Sequence, residues 1–116
     1  MPDLAPAAEL RAASARLREY AAAASVAPWL RSGIGDFGWT VHLGPEQSVE
    51  TEDSEQGRAN ADWIALVDPA VGLLLADWLE TIAARLDHST HPDWQDVIEP
   101  KALAVARAIN TTEEQH

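Results

Sequence analysis

The chain has no cysteine, so disulfides and thiolate chemistry are excluded. Basic residues are scarce: eight Lys and Arg stand against nineteen Asp and Glu, a formal net charge of −11. That balance disfavours direct binding to nucleic acid, because phosphates are met by lysine and arginine. It permits binding to a basic protein surface, including mimicry of DNA, and it also serves solubility alone. No run approaches the ~18–20 apolar residues of a membrane span. The opening Met1-Pro2-Asp3-Leu4 lacks the basic and long apolar regions of a signal peptide. The expectation is a soluble, cytoplasmic protein with no membrane partner. Glycine is sparse, and Gly33 and Gly35 have neither the preceding strand nor the following helix of a phosphate cradle.

What is present favours helix. There are 22 alanines, mostly in three clusters. A chain of 116 residues reads as one domain burying roughly two-thirds of its unfolded surface. The organising stretch runs from Asn60 to Leu86. Pro69 disfavours helical geometry at Asp68, so a first helix should stop at Val67. Asp68 can then cap a second helix with Pro69 at its first position. From there Val71, Leu74, Leu75, Trp78, Leu79, Ile82 and Leu86 have the spacing of one helical face. Asp77, Glu80, Thr81, Ala84 and Arg85 take the other side.

The remaining segments should pack on that stripe. Residues 3–27 read as a helix with a narrow alanine-rich seam around Leu10, Ala13 and Leu17. The seam suits packing on the 69–86 helix, with self-association as the alternative. Residues 28–36 read as loop. Phe37, Trp39, Val41 and Leu43 alternate with Gly38, Thr40 and His42 as a strand, and Val49 and Thr51 mark a second, weaker one. A five-residue loop, 44–48, sets Leu43 opposite Val49 and Val41 opposite Thr51, which keeps apolar residues on one face. Glu50 to Gly57 reads as an exposed acidic link, with Asp62 a first-turn acid of the following helix. Pro92 could start a helical turn holding Trp94, Val97 and Ile98. Pro100 begins a C-terminal helix over about 100–110, with Ala102, Val105, Ala106 and Ile109 on one face.

The residues that carry chemistry form no recognisable catalytic set. Nucleophilic catalysis needs a nucleophile beside an oriented base, and none of the serines lies in a Gly-x-Ser-x-Gly context. The link at 50–57 lacks the ordered ligand spacing of a calcium loop. His88, His91 and Asp93 are metal ligands on paper, yet no fourth partner is evident, and an exposed loop explains them. The reading is therefore of a non-enzymatic protein without cofactor or metal. Five tryptophans, at 29, 39, 63, 78 and 94, come from different segments and read first as core aromatics. The alternative places some of them in a pocket that stacks on a planar ligand, with Trp29, Arg31, Trp39 and His42 the candidate ligand-binding residues. Glu46, Glu50, Glu52, Asp53 and Glu55 form the candidate acidic face for a partner.

The order of these motifs resembles a known pattern. A Leu- and Arg-rich N-terminal helix leads to Pro28-Trp29, a β segment follows, then Ala61-Asp62-Trp63-Ile64-Ala65, Asp68-Pro69 and a helix containing Trp78-Leu79. This looks like small uncharacterised proteins of actinobacteria and their phages, which the Leu-Ala-Val-Ala-Arg-Ala-Ile run at 103–109 also fits. It is similar, too, to the Ead-like accessory proteins of lambdoid phages, where a Pro-Gly-Pro-Trp-like loop precedes an Asp-Ala-x-Phe-Ile-Ala-x-x-x-Pro segment. Here Val26-Ala27-Pro28-Trp29 lacks the glycine, and Trp63 stands where Phe or Tyr is common. The resemblance transfers no catalytic residue. It implies a phage or prophage accessory protein acting in a bacterial cytoplasm on a host process or defence.

The expected fold is α+β and mostly helical: three to four helices packed with one β-hairpin. Its elements are a helix over about 3–27, the hairpin over about 37–52, a helix pair over about 60–87 and the C-terminal helix. The expected function is binding of a host protein. Sequestering of a small molecule such as a nucleotide signal, or a structural homo-oligomer, are the alternatives.

Overall fold

The computed structural model describes residues 5–89, 91, 94 and 99–112. Its elements are α1 (Pro6–Ala23), β1 (Leu30–Ile34), β2 (Gly38–Gly44), β3 (Gln47–Glu52), α2 (Glu55–Leu66), α3 (Pro69–Ser89) and α4 (Pro100–Thr112). The fold is α+β and mostly helical. Two compact units divide the chain: Met1–Glu19 with Leu73–His116, and Tyr20–Gly72.

The first unit is helical and built around alanine. Ala7, Leu10 and Ala13 of α1, Leu79, Ile82, Ala83 and Leu86 of α3, and Ala102 and Ala106 of α4 form one buried cluster. Leu17, Val105 and Ile109 pack against it. The alanine seam of α1 is thus spent inside the unit. Small side chains let α1 and α3 approach closely, and a polar contact uses that proximity. Ser14 is fully buried, donates Oγ–H to the Ala76 carbonyl at 2.9 Å and accepts from Arg18 Nη1 at 2.5 Å. A buried hydroxyl with both roles used avoids the cost of an unmet polar group. Arg18 continues to Asp77 at 2.6 Å and Glu80 at 2.8 Å. The hydrogen bond to Asp77 raises the Arg18 pKa above its ordinary value; burial opposes that, and Glu80 adds to it. On α4, Arg16 Nη1 donates to the Asn110 carbonyl at 2.9 Å, placing a cation at the helix C-terminus where free carbonyls gather.

The buried face of α3 is rotated from the expected stripe. Ala76, Leu79, Ile82, Ala83 and Leu86 are buried, whereas Val71, Leu74 and Trp78 are exposed. A stripe of leucines and a tryptophan is wider than an alanine-lined neighbour can cover. The line through Ala76 and Ala83 allows the closer approach, so it wins. The tryptophans are likewise not core residues. Trp63 is 66% exposed, Trp78 and Trp94 are exposed, and Trp29 and Trp39 are half-buried.

The second unit is a three-stranded antiparallel meander, β1-β2-β3, with α2 on one face. Its fully buried apolar side chains are Val41 and Ala61. Thr51 Oγ1 ties sheet to helix by donating to the Gly57 carbonyl at 2.6 Å. Residues 30–34, read above as loop, form β1. Leu30 faces His42, Arg31 faces Val41 and Ile34 faces Trp39, with an irregularity between Arg31 and Ile34. That irregularity and the polar Arg-Ser-Gly run erase the alternation by which a strand is recognised.

The β2–β3 register also differs from the expected one. Val41 faces Val49 and Trp39 faces Thr51, and Gly44 facing Gln47 leaves only Pro45 and Glu46 between them. Proline holds φ near −65°, and no residue in the described chain has positive φ. The primed turns usual for two-residue hairpins therefore do not form. The mismatch is taken up by an irregularity between His42 and Gly44. The shift relative to expectation is two residues, so each side chain stays on its expected face.

The supposed acidic link is structured as well. Glu50–Glu52 belong to β3 and Glu55–Gly57 to α2, which starts five residues before Asn60. Ser54 is its N-cap, with Oγ accepting from Gly57 N at 3.0 Å. Asp62 is accordingly a mid-helix residue, not a first-turn acid. The corner at Asp68-Pro69 follows the expected pattern. Val67 closes α2, donating to the Trp63 carbonyl at 3.1 Å. Asp68 Oδ1 then accepts from Ala70 N at 3.0 Å and Val71 N at 3.2 Å, and Oδ2 from Trp29 N at 3.3 Å. One carboxylate thus caps α3 and holds the segment entering β1. Asp68→Ala should cost about 1–2 kcal/mol, at the upper end for a cap, and Asp68→Asn roughly half of that. Chemical denaturation followed by tryptophan fluorescence measures both.

Candidate functional site

The second unit carries −6 of the chain's formal net charge of −11. It holds eight Asp and Glu against two arginines. In the first unit each arginine meets a carboxylate or a helix-end carbonyl: Arg11 with Asp87, Arg18 with Asp77 and Glu80, Arg85 with Glu99, Arg107 with Glu9, and Arg16 as above. Among the described residues of the second unit, Arg31 with Asp62 is the ion pair.

The five candidate acids line one end-to-end segment. Glu46 sits in the β2–β3 turn, Glu50 and Glu52 on β3, Asp53 beyond it and Glu55 at the start of α2, and all five are exposed. They do not share one role. Glu50 reaches back across the sheet: Oε2 accepts from Phe37 N at 2.8 Å, and Oε1 faces Thr40 Oγ1 at 3.4 Å. It is therefore engaged in holding the β1–β2 connection. Glu52 Oε2 accepts from the capping Ser54 hydroxyl at 3.1 Å. For Glu46, Asp53 and Glu55 the described residues show no side-chain partner, and their charge faces solvent.

The four candidate ligand-binding residues are divided. Arg31 and Trp39 come together on the face covered by α2, with the Arg31 guanidinium 5.3 Å from the Trp39 ring centre. Arg58 of α2 lies 5.2 Å from the same ring. Arg58 was not among the sequence candidates, because nothing in its local pattern marks which strand its helix covers. Cation–π pairs of this kind contribute about 0.5–1 kcal/mol each at exposed sites. His42 projects from the opposite face, with Nε2 2.9 Å from Ser32 Oγ. That pair has the spacing of a nucleophile and its base. It is exposed, and no third group orients His42 among the described residues. Trp29 donates Nε1–H to the Ser25 carbonyl at 3.0 Å and so braces its own loop.

Of the metal candidates, His88 lies in the last turn of α3 and His91 beyond it, while Asp93 lies outside the described residues. Of the helical turn expected after Pro92, Trp94 is described, with its N–H donating to the His91 carbonyl at 2.9 Å, and Val97 and Ile98 are not. No cluster of three or more metal-ligating side chains occurs among the described residues. No single helix there is long and apolar enough to cross a membrane.

Fold and site together define a small α+β protein with an acid-rimmed, three-stranded sheet. Comparison of the chain with protein-family models, with curated proteins and with solved structures gives no match.

Proposed function

We propose that this protein is a non-enzymatic binding protein of the phage or prophage accessory type, which modulates a host process in the bacterial cytoplasm by engaging a basic macromolecular partner. The observation that carries this reading is the unneutralised acidity of the β2–β3–α2 segment, where Glu46, Asp53 and Glu55 face solvent within ten residues. Clustered charge of one sign raises encounter rates with an oppositely charged surface and penalises wrong partners. The motif resemblance described above supplies the biological setting.

The test is retention of host proteins on the immobilised protein at low salt, against a variant carrying Glu46→Gln, Asp53→Asn and Glu55→Gln. A specific partner should be retained by the native chain, and raising ionic strength should release it, because screening at about 1 M salt shortens the Debye length to ~3 Å. The triple variant should retain at least about tenfold less, the equivalent of roughly 1.4 kcal/mol. Equal retention by both chains, or none at low salt, would sink the reading.

The grouping of Arg31, Trp39 and Arg58 favours a second reading, the binding of a small anionic ligand. It predicts that a nucleotide added at millimolar concentration changes tryptophan emission, and that Arg58→Ala abolishes the change.

A further inference from the structure

The sheet ends on β3. Its strand order is β1-β2-β3, so one side of Gln47–Glu52 pairs with β2 and the other has no strand beside it among the described residues, although at its last residue the Glu52 carbonyl is met by Ser54 N at 2.9 Å and by Gly57 of α2. An open edge presents a row of backbone donors and acceptors, and proteins normally blunt such edges with lysine, proline, bulges or a covering element. Within β3 there is no lysine and no proline, and every residue but Thr51 is exposed. The irregularity of the pair lies at the turn, between His42 and Gly44, and leaves residues 48–52 in regular register.

The side chains of β3 say what would fit. Gln47, Val49 and Thr51 lie on the face that α2 covers, and Val49 is 40% exposed although Val41, directly opposite on β2, is fully buried. An apolar side chain on an added strand would cover Val49 from the open side. Acids flank the centre at both ends, Glu46 before the strand and Glu52, Asp53 and Glu55 after it. Glu50, in the middle, is turned inward to Phe37 N. On the face that α2 covers, the edge therefore offers Val49 at its centre and acids beyond both ends. A second copy brings the same acids to the same edge, so like charges oppose self-pairing.

We propose that the open edge of β3 accepts an extended basic peptide as a fourth strand, with small apolar residues beside Val49 and lysine or arginine at both ends. This rests on the reading that the acidic segment binds a basic partner, and it adds the mode of binding. Backbone pairing supplies affinity in such strand addition, and alternate side chains supply choice.

The probe is the N-acetylated, C-amidated peptide Lys-Lys-Val-Thr-Val-Lys-Lys, which reads alike in charge from either end. Its control, Lys-Lys-Pro-Thr-Pro-Lys-Lys, keeps the charge and loses two backbone donors. Amide hydrogen exchange of the full chain is followed by NMR, with mass in solution measured alongside. With the first peptide at ten times its dissociation constant, outward amides of β3 should exchange about tenfold more slowly. The control should bind at least several-fold more weakly and protect none of them. If both peptides bind alike and β3 is unprotected, strand addition is overturned while the acidic-surface reading stands. If neither binds at low salt, both fail. If β3 becomes protected without peptide as protein concentration and mass rise, a second copy takes the edge and the proposal is wrong.

Discussion

Leu79→Ala should lower the thermal midpoint by roughly 10–20 °C, the effect of losing about 3 kcal/mol in a domain near this size. Leu79 is fully buried in the cluster that α1, α3 and α4 share. Its companions there include five alanines, and alanine cannot extend into a space left beside it. The cavity should persist, so a cavity cost adds to the lost transfer free energy and about 3 kcal/mol results. The control is Leu74→Ala on the same helix. Leu74 is 69% exposed, so its change should stay within about 0.5 kcal/mol. Thermal unfolding by circular dichroism separates the two. Equal losses would mean that α3 buries the wide leucine–tryptophan stripe after all.

Gly57→Ala should destabilise the second unit, against the helix-propensity trend. Alanine in place of a helical glycine ordinarily gains up to about 1 kcal/mol. At Gly57 an added Cβ would lie 1.7 Å from the Glu52 carbonyl oxygen, a backbone atom that no rotamer change can move. Here α2 comes against the end of β3, where Thr51 also bonds the Gly57 carbonyl. Either α2 lifts from the sheet or β3 loses its last residues. A net loss of about 2–3 kcal/mol follows, the scale of forced overpacking. Gly72→Ala makes the comparison, because an added Cβ there meets nothing within 4 Å, and it should be neutral or slightly stabilising. Denaturant midpoints measure both. If Gly57→Ala proves stabilising, α2 cannot sit against β3 as described.

The candidate site was legible as a set of residue types more than as a set of neighbours. The acids from Glu46 to Glu55 are contiguous in sequence, and contiguity alone keeps them in one segment whatever the fold. Which of them is free is different. Glu50 is turned to Phe37 N because the sheet sets Thr40 directly opposite it, and no local pattern reveals that opposition. Arg31 and Trp39 are candidates by residue type, and β1–β2 pairing brings them together. His42 was grouped with them, but strand alternation sends it to the other face. Arg58 was missed because its partner ring lies on a different element.

By itself the sequence determined what local chemistry controls. The corner at Asp68-Pro69 follows from proline's effect on its predecessor and an aspartate able to cap. The helical character of 69–86 and about 100–110 follows from apolar spacing and alanine content, and the strand at 37–43 from alternation. Tertiary structure decided what depends on packing distance. Alanine content marked α1 as a close-packing helix, but only the assembled unit chose Ala76 and Ala83 as the inner line of α3 and left Trp78 outside. Likewise β1 exists because β2 offers it an edge, not because its own residues alternate. The start of α2 at Glu55 needed the Ser54 cap and a glycine at 57 that could lie against the Glu52 carbonyl. Each of these turns on a steric fit between segments distant in the chain or folded back on one another, and periodicity along one segment carries no record of such a fit.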